Sequence, residues 1–254
     1  MLALVALRHR GGPAEGTHFT TAPNGPALHP GTMTQNAVQP RAAPGPRPKP
    51  LPKEAADQLI NEGTTLLKQG DADAAVVKLQ QAVKLNPNDE DAHYDLGLAL
   101  ARKGERAAAE REYAEALKIY PDYAEAHNNL GNLLLADGKL DDAITHFRAA
   151  LQIDPEDPMA YNNLGHALAR QHKTDEAIAA FADAIRLKPD YVEAHYNLGA
   201  ARLSQQDLDG AVSEFEATLR LKPDFEPASR LLAKAKQARA QARTQPPLEP
   251  FSNQ

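Results

Sequence analysis

Glycine returns every 34 residues through the middle of this chain, at Gly63, Gly97, Gly131, Gly165 and Gly199. Proline keeps the same interval at Pro87, Pro121, Pro155, Pro189 and Pro223, and alanine keeps it at Ala75, Ala109, Ala143, Ala177 and Ala211. Three markers in phase over five units constrain the fold more than any local motif does. A single closed core needs no such period. A stack of similar small units does, because each unit must meet its neighbours through the same faces. The units run 56–89, 90–123, 124–157, 158–191 and 192–225. Positions below are counted from the first residue of each unit.

Each unit reads as two helices. Positions 4, 7, 8 and 11 are mostly apolar or small, and in the third unit they are His127, Leu130, Gly131 and Leu134. Positions 20, 24, 27 and 28 repeat the spacing as Ala143, Phe147, Ala150 and Leu151. Both sets have helical periodicity. The turn between them is "ADGKLDD", 136–142. Asp73, Asp141, Asp175 and Asp209 share position 18, in the first turn of the second helix, where a carboxylate suits the positive helix end. Proline at position 32 closes the second helix region. Asp122-Tyr-Ala-Glu125 and Asp190-Tyr-Val-Glu193 have the form of capping boxes.

A 34-residue helix–turn–helix unit with these markers resembles the tetratricopeptide repeat family. The resemblance implies an all-α fold, a right-handed α-solenoid whose first helices line a concave groove. Position 4 departs from the family's usual bulky aromatic, with Leu59, His93, His127, Tyr161 and His195. Arg202 and Thr218 replace small or apolar residues in the fifth unit. Residues 226–243 are expected to form a capping helix, with Leu231, Leu232 and Ala235 over the open end. Residues 1–52 hold ten of the twenty prolines and six glycines, which excludes regular structure and points to a disordered arm. Residues 244–254 read as a loose tail.

Two features of the repeated "NNLG" run need separate explanations. Glycine at position 8 costs about 1 kcal/mol against alanine in a helix interior. Its expected purpose is close helix approach, with the alanine at position 20 as the small partner. Asn61, Asp95, Asn129, Asn163 and Asn197 share position 6, off the packing face. They form an expected polar ladder along the groove, since an amide both donates and accepts. Two roles stay open for it: contact with the backbone of an extended peptide, or hydrogen bonding between repeats. Around the ladder, Asn132, Lys68, Arg102 and Arg170 complete the candidate peptide-binding set. Tyr94 and Tyr196 are either anchors for a partner or packing residues. No unit carries the Lys at position 5 that resemblance to the family's carboxylate-gripping members would require.

The chain offers little for catalysis. It has no Cys and four Ser, none in a nucleophile-elbow context, and no phosphate-binding glycine loop. His93, His127 and His195 share one repeat position, but equivalent sites in stacked helices lie about 10 Å apart. Metal ligands must lie about 2 Å from one ion. Neither a metal nor a cofactor is therefore expected, and His146 and His166 have no His or Cys partner nearby in sequence. Residues 53–225 carry 18 basic against 31 acidic side chains, which argues against nucleic acid as a partner. No small-molecule substrate is implied either.

The expected function is a non-enzymatic scaffold holding a protein segment in its groove. Two alternatives are a substrate-recruiting arm for a separately encoded transferase, since the repeats also resemble the arm of O-GlcNAc transferases, and an envelope assembly factor. "MLALVALRHR" lacks a basic start and a small-residue cleavage site, so a signal peptide is not expected. No apolar run is long enough to span a bilayer. A cytoplasmic location is the expectation, with the envelope as the alternative if translation starts upstream.

Overall fold

The computed structural model describes residues 52–244, and the side chains of 53–243. The sequence-based expectations for the arm before residue 52 and for the tail after Thr244 lie outside the described residues. Among the described residues there is helix and turn but no strand. Nor is any of these helices long and apolar enough to cross a membrane.

Eleven helices follow one another: α1 (Pro52–Gln69), α2 (Ala72–Leu85), α3 (Glu90–Arg102), α4 (Arg106–Ile119), α5 (Ala124–Ala136), α6 (Leu140–Ile153), α7 (Pro158–Arg170), α8 (Thr174–Leu187), α9 (Val192–Ser204), α10 (Leu208–Leu221) and α11 (Glu226–Thr244). The first helix begins four residues ahead of the repeat register. Pro52 suits its first position, where no N–H is required.

The helices pair as hairpins, α1 with α2 through α9 with α10, and α11 packs on α10. The second helix of each pair leans on the first helix of the next. First helices also touch one another, α1 with α3, α5 with α7 and α7 with α9. This puts the first helices on the shorter, inner radius of the stack.

Glycine at position 8 does permit close approach, but its partner is not the alanine at position 20. A Cβ added to Gly131 would stand 2.7 Å from Phe147 Cε1, and one added to Gly165 would stand 2.7 Å from Phe181 Cε1. Gly97 meets Tyr113, Gly199 meets Phe215, and Gly63 meets Leu79 in the same way. Each partner is the residue at position 24, in contact with the glycine. Phe147, Phe215 and Tyr113 are wholly buried there. The alanines at position 20 are buried as well, but they do not set this distance.

Every first helix ends in one residue of left-handed conformation at position 15. These are Gly70, Gly104, Gly138, His172 and Gln206, with φ between 61° and 85°. The residue that follows donates its N–H back to the first helix, as Lys139 does to the Leu134 carbonyl at 2.9 Å. This is the hydrogen bond of a Schellman cap.

The expected capping boxes do not form. The N-cap residues of α5 and α9 are Tyr123 and Tyr191, and neither side chain caps. Capping occurs where position 34 is aspartate: Asp89 accepts from the Ala92 N–H at 2.9 Å, and Asp157 from Met159 N–H at 2.7 Å. The helices start one residue later than the box pattern requires, so Asp122 and Asp190 stand too early.

At the C-terminal end, Ala211, Val212 and Phe215 are closed over by Ala228 and Ala235 of α11, with Leu231 and Leu232 packed alongside.

Two stability tests follow from the glycines. Gly131→Ala should lower stability by about 1–3 kcal/mol through overpacking against Phe147. In an exposed helix the same change would raise stability by about 1 kcal/mol. His172→Gly and Gln206→Gly should each raise it by roughly 0.5–1 kcal/mol, because glycine lacks the Cβ that penalises positive φ. Urea denaturation midpoints of the three variants against the parent give the signs directly.

Candidate functional site

The inner face is built by positions 2, 5, 6, 9 and 13 of the first helices. Its ladder amides take part in the joints between repeats. Asn129 Nδ2 donates to the Tyr94 hydroxyl, Asn163 Nδ2 to Asn128 Oδ1 and Asn197 Nδ2 to Asn162 Oδ1, each at 3.0 Å. Position 6 of one repeat thus reaches position 5 of the repeat before it. Asn129, Asn163 and Asn197 are half-buried, so the expectation that they stand wholly off the packing surface is corrected. The rotation of a helix places them on the inner side, and the curvature of the stack then presses that side against the preceding helix.

The two arginines also bridge repeats. Arg102 Nη1 donates to the Leu67 carbonyl and Arg170 Nη1 to the Leu135 carbonyl, both at 2.5 Å. Each places a cation on the carbonyl end of the preceding first helix, where the helix dipole favours it.

Tyr94 is 3% exposed and packs against Tyr113 and Tyr123, at centroid distances of 5.9 and 4.8 Å. Its role as an exposed anchor is therefore corrected: neighbouring rings enclose it. Tyr196 is half-buried and packs edge-on to Phe225 at 5.2 Å, beneath the cap. Asp95 is buried too. Asn61 and Lys68 are exposed on α1, and Asn61 belongs to the lining of an 870 Å³ depression along that helix, with Asp57, Gln58, Thr65 and Leu66. Asn132 is half-buried, and His166, at the same position of the next repeat, is exposed. The predicted set therefore divides into joint residues (Asn129, Asn163, Asn197, Arg102 and Arg170), enclosed residues (Tyr94 and Asp95) and exposed residues (Asn61 and Lys68), with Asn132 and Tyr196 between.

The histidines at position 4 form a second class of joint. His93, His127 and His195 place Nε2 at 3.1, 3.0 and 3.0 Å from the carbonyls of Pro87, Pro121 and Pro189 in the preceding repeats. Position 23 of the same hairpin holds the other ring nitrogen. It is Glu112 beside His93 and Glu214 beside His195, each at 2.7 Å. Both neighbours of the His93 ring are acceptors, so both ring nitrogens donate, and the hydrogen bond to Glu112 raises its pKa above the usual histidine value. Beside His127 the residue is His146, with the two Nδ1 atoms 2.9 Å apart. Burial holds both of these rings below the ordinary histidine range. The sequence reading missed this pair; the signal was the shared offset of 19 residues between positions 4 and 23.

A third class runs along the outside of the joints. Position 14 pairs with the aspartate at position 18 of the preceding repeat: Lys103 with Asp73 at 3.0 Å, Gln171 with Asp141 at 2.6 Å, and Gln205 with Asp175. Arg239 of α11 does the same to Asp209 at 3.0 Å.

Sequence models described as tetratricopeptide repeat or TPR repeat match residues 63–104, 90–123, 112–145, 131–172 and 162–224. The chain belongs to the tetratricopeptide repeat family. Solved tetratricopeptide structures align along most of the repeats. MamA residues 41 to the end from Desulfovibrio magneticus RS-1 is 25% identical, with a TM-score of 0.62 over 68% of this chain and 98% of that one. PilF of Pseudomonas aeruginosa is 24% identical, with a TM-score of 0.67 over 76% and 89%. YrrB, described as a TPR protein with an unusual peptide-binding site, is 22% identical, with a TM-score of 0.61 over 70% and 92%. No curated protein matches the sequence significantly.

The His93–Glu112 contact should make this joint pH-dependent. A raised folded-state pKa means stability that is fully present below the unfolded histidine value, about 6.5, and lost as pH rises through the folded value. Glu112→Gln should therefore destabilise the tetratricopeptide array clearly at about pH 6 and less at about pH 9. The check is the gap in urea midpoint between parent and variant at the two pH values. A gap that widens with pH would reverse the sign.

Proposed function

We propose that this tetratricopeptide array is a non-enzymatic scaffold that holds an extended segment of a partner protein along its first-helix face. The observation that carries the reading is the unspent hydrogen-bonding capacity of the ladder. An amide offers two N–H donors and a carbonyl. Among the described residues, the side chains of Asn129, Asn163 and Asn197 each make one donation to a neighbour. The joint fixes each amide in orientation and leaves its carbonyl and second N–H available. A preorganised polar group binds at smaller entropic cost than a mobile one.

The spacing suits an extended backbone. Packed helices lie about 8–10 Å apart, and a strand advances about 3.3 Å per residue. One amide therefore meets the ligand at roughly every third residue. Such contacts grip the main chain without reading its sequence. Asn132 and His166, one turn further along their helices, would add side-chain selectivity.

Linear peptides selected on the full chain from a random display library should bind this face. Replacing Asn132 and His166 together by Ala should weaken them by about 1–3 kcal/mol, or roughly 5- to 150-fold, at two lost hydrogen bonds. Isothermal titration measures the loss, and circular dichroism reports that the helices persist. Unchanged affinity, together with loss of binding in Val77→Asp on exposed α2, would move the site to the outer face.

A further inference from the structure

We propose that His127 and His146 form a transition-metal site, in which the two Nδ1 atoms bind one divalent ion of borderline softness, Zn²⁺ or Ni²⁺, across the α5–α6 hairpin. This departs from the expectation drawn from the sequence, where His146 has no partner.

Position 23 has a structural duty in the second and fifth repeats, and glutamate performs it there. Glu112 and Glu214 each receive a ring N–H from the histidine at position 4. In the third repeat that carboxylate is replaced by a second imidazole, with Nδ1 2.9 Å from Nδ1. The hairpin does not need this replacement, since its sister repeats fold with the acid. The fourth repeat carries Tyr161 and Ala180 at the two positions, and the first carries Leu59 and Lys78. The paired rings belong to one repeat of the five.

The local chemistry fits an ion. The Pro121 carbonyl, 3.0 Å from His127 Nε2, requires the proton there, so the lone pair of that ring lies at Nδ1. A backbone carbonyl on the distal nitrogen is one of the ways a ligating histidine is oriented. His146 presents the same lone pair once its proton moves to Nε2. Two Zn–N bonds of about 2.0–2.1 Å in tetrahedral geometry separate the nitrogens by about 3.3 Å. The nitrogens now face each other across 2.9 Å with the ring centroids 5.1 Å apart, so to share an ion the rings must part by about 0.4 Å and turn until both lone pairs converge beside that line. Both rings are partly exposed, which gives a hydrated ion a route to them. Asp142, one turn before His146, and Asp122, near His127, add negative charge. Among the described residues no third His, Asp or Glu converges with the pair, so water completes the coordination and the ion exchanges readily. The chain has no Cys to compete for it.

The test is equilibrium dialysis of the full chain against zinc chloride, with His146→Gln and His127→Tyr as variants. Tyrosine is the residue the fourth repeat already carries at position 4. The parent should bind one more equivalent of Zn²⁺ than either variant, with circular dichroism unchanged. In the parent, the ¹⁵N resonances of both Nδ1 atoms should move on adding Zn²⁺, and this reading needs no variant to fold. Equal stoichiometry in parent and either variant, or unmoved Nδ1 resonances, overturns the site; so does a parent that takes up no ion.

Discussion

The array depends on one contact: the large side chain at position 24 against a stretch of helix backbone with no side chain on it. In the third repeat this is Phe147 on Gly131. A Cβ at the glycine would stand inside the ring's van der Waals surface, so the two axes could not come as close. With the hairpin closed in this way, its remaining side chains leave at repeatable angles, and the same positions meet in each successive joint. The second repeat shows the limit of the scheme. Tyr113 occupies the ring position with its hydroxyl fully buried and without a hydrogen-bond partner among the described residues. An unsatisfied buried hydroxyl costs about 1–3 kcal/mol, yet the ring still fills its place against Gly97.

Between hairpins, the polar bonds made by positions 4, 6 and 13 share a direction. His93, His127 and His195, then Asn129, Asn163 and Asn197, then Arg102 and Arg170, all donate from a later repeat onto an acceptor of the earlier one. Each bond contributes about 1 kcal/mol or less where it is exposed. They specify register more than they supply stability, because a stack displaced by one helical turn would part every one of these donors from its acceptor. Since each bond reaches only the adjacent repeat, cooperativity is a nearest-neighbour property.

Much of this was legible in the sequence, and what was not has a common cause. The 34-residue period, the two helices per unit and the small residue at position 8 are all properties of a residue and its near neighbours in the chain. The failures involve pairs. Gly131 was matched with Ala143 when its partner is Phe147, four residues further along the same helix face; periodicity names a face but not which residue on it projects furthest. His146 meets His127 at an offset of 19, and Asn129 meets Tyr94 at an offset of 35. The offset of 19 recurs in the sequence as His93/Glu112, His127/His146 and His195/Glu214, but that these positions touch follows only once the hairpin angle and the curvature of the stack are known. Asp122 and Asp190 failed as caps for a smaller reason, a helix start displaced by one residue.

Directional joints between identical positions also bear on how such a chain changes length. Cutting the sequence at the start of the third and fifth repeats and rejoining it would bring a donor at position 4 to a carbonyl at position 32, and an amide at position 6 to position 5, as before, whereas Leu59, Asp95 and Tyr161 mark repeats that lack one of these donors. No new interface has to be invented when a block of 34 residues is duplicated or lost. The number of repeats can therefore change by whole 34-residue blocks wherever the repeats brought together both carry the joint residues.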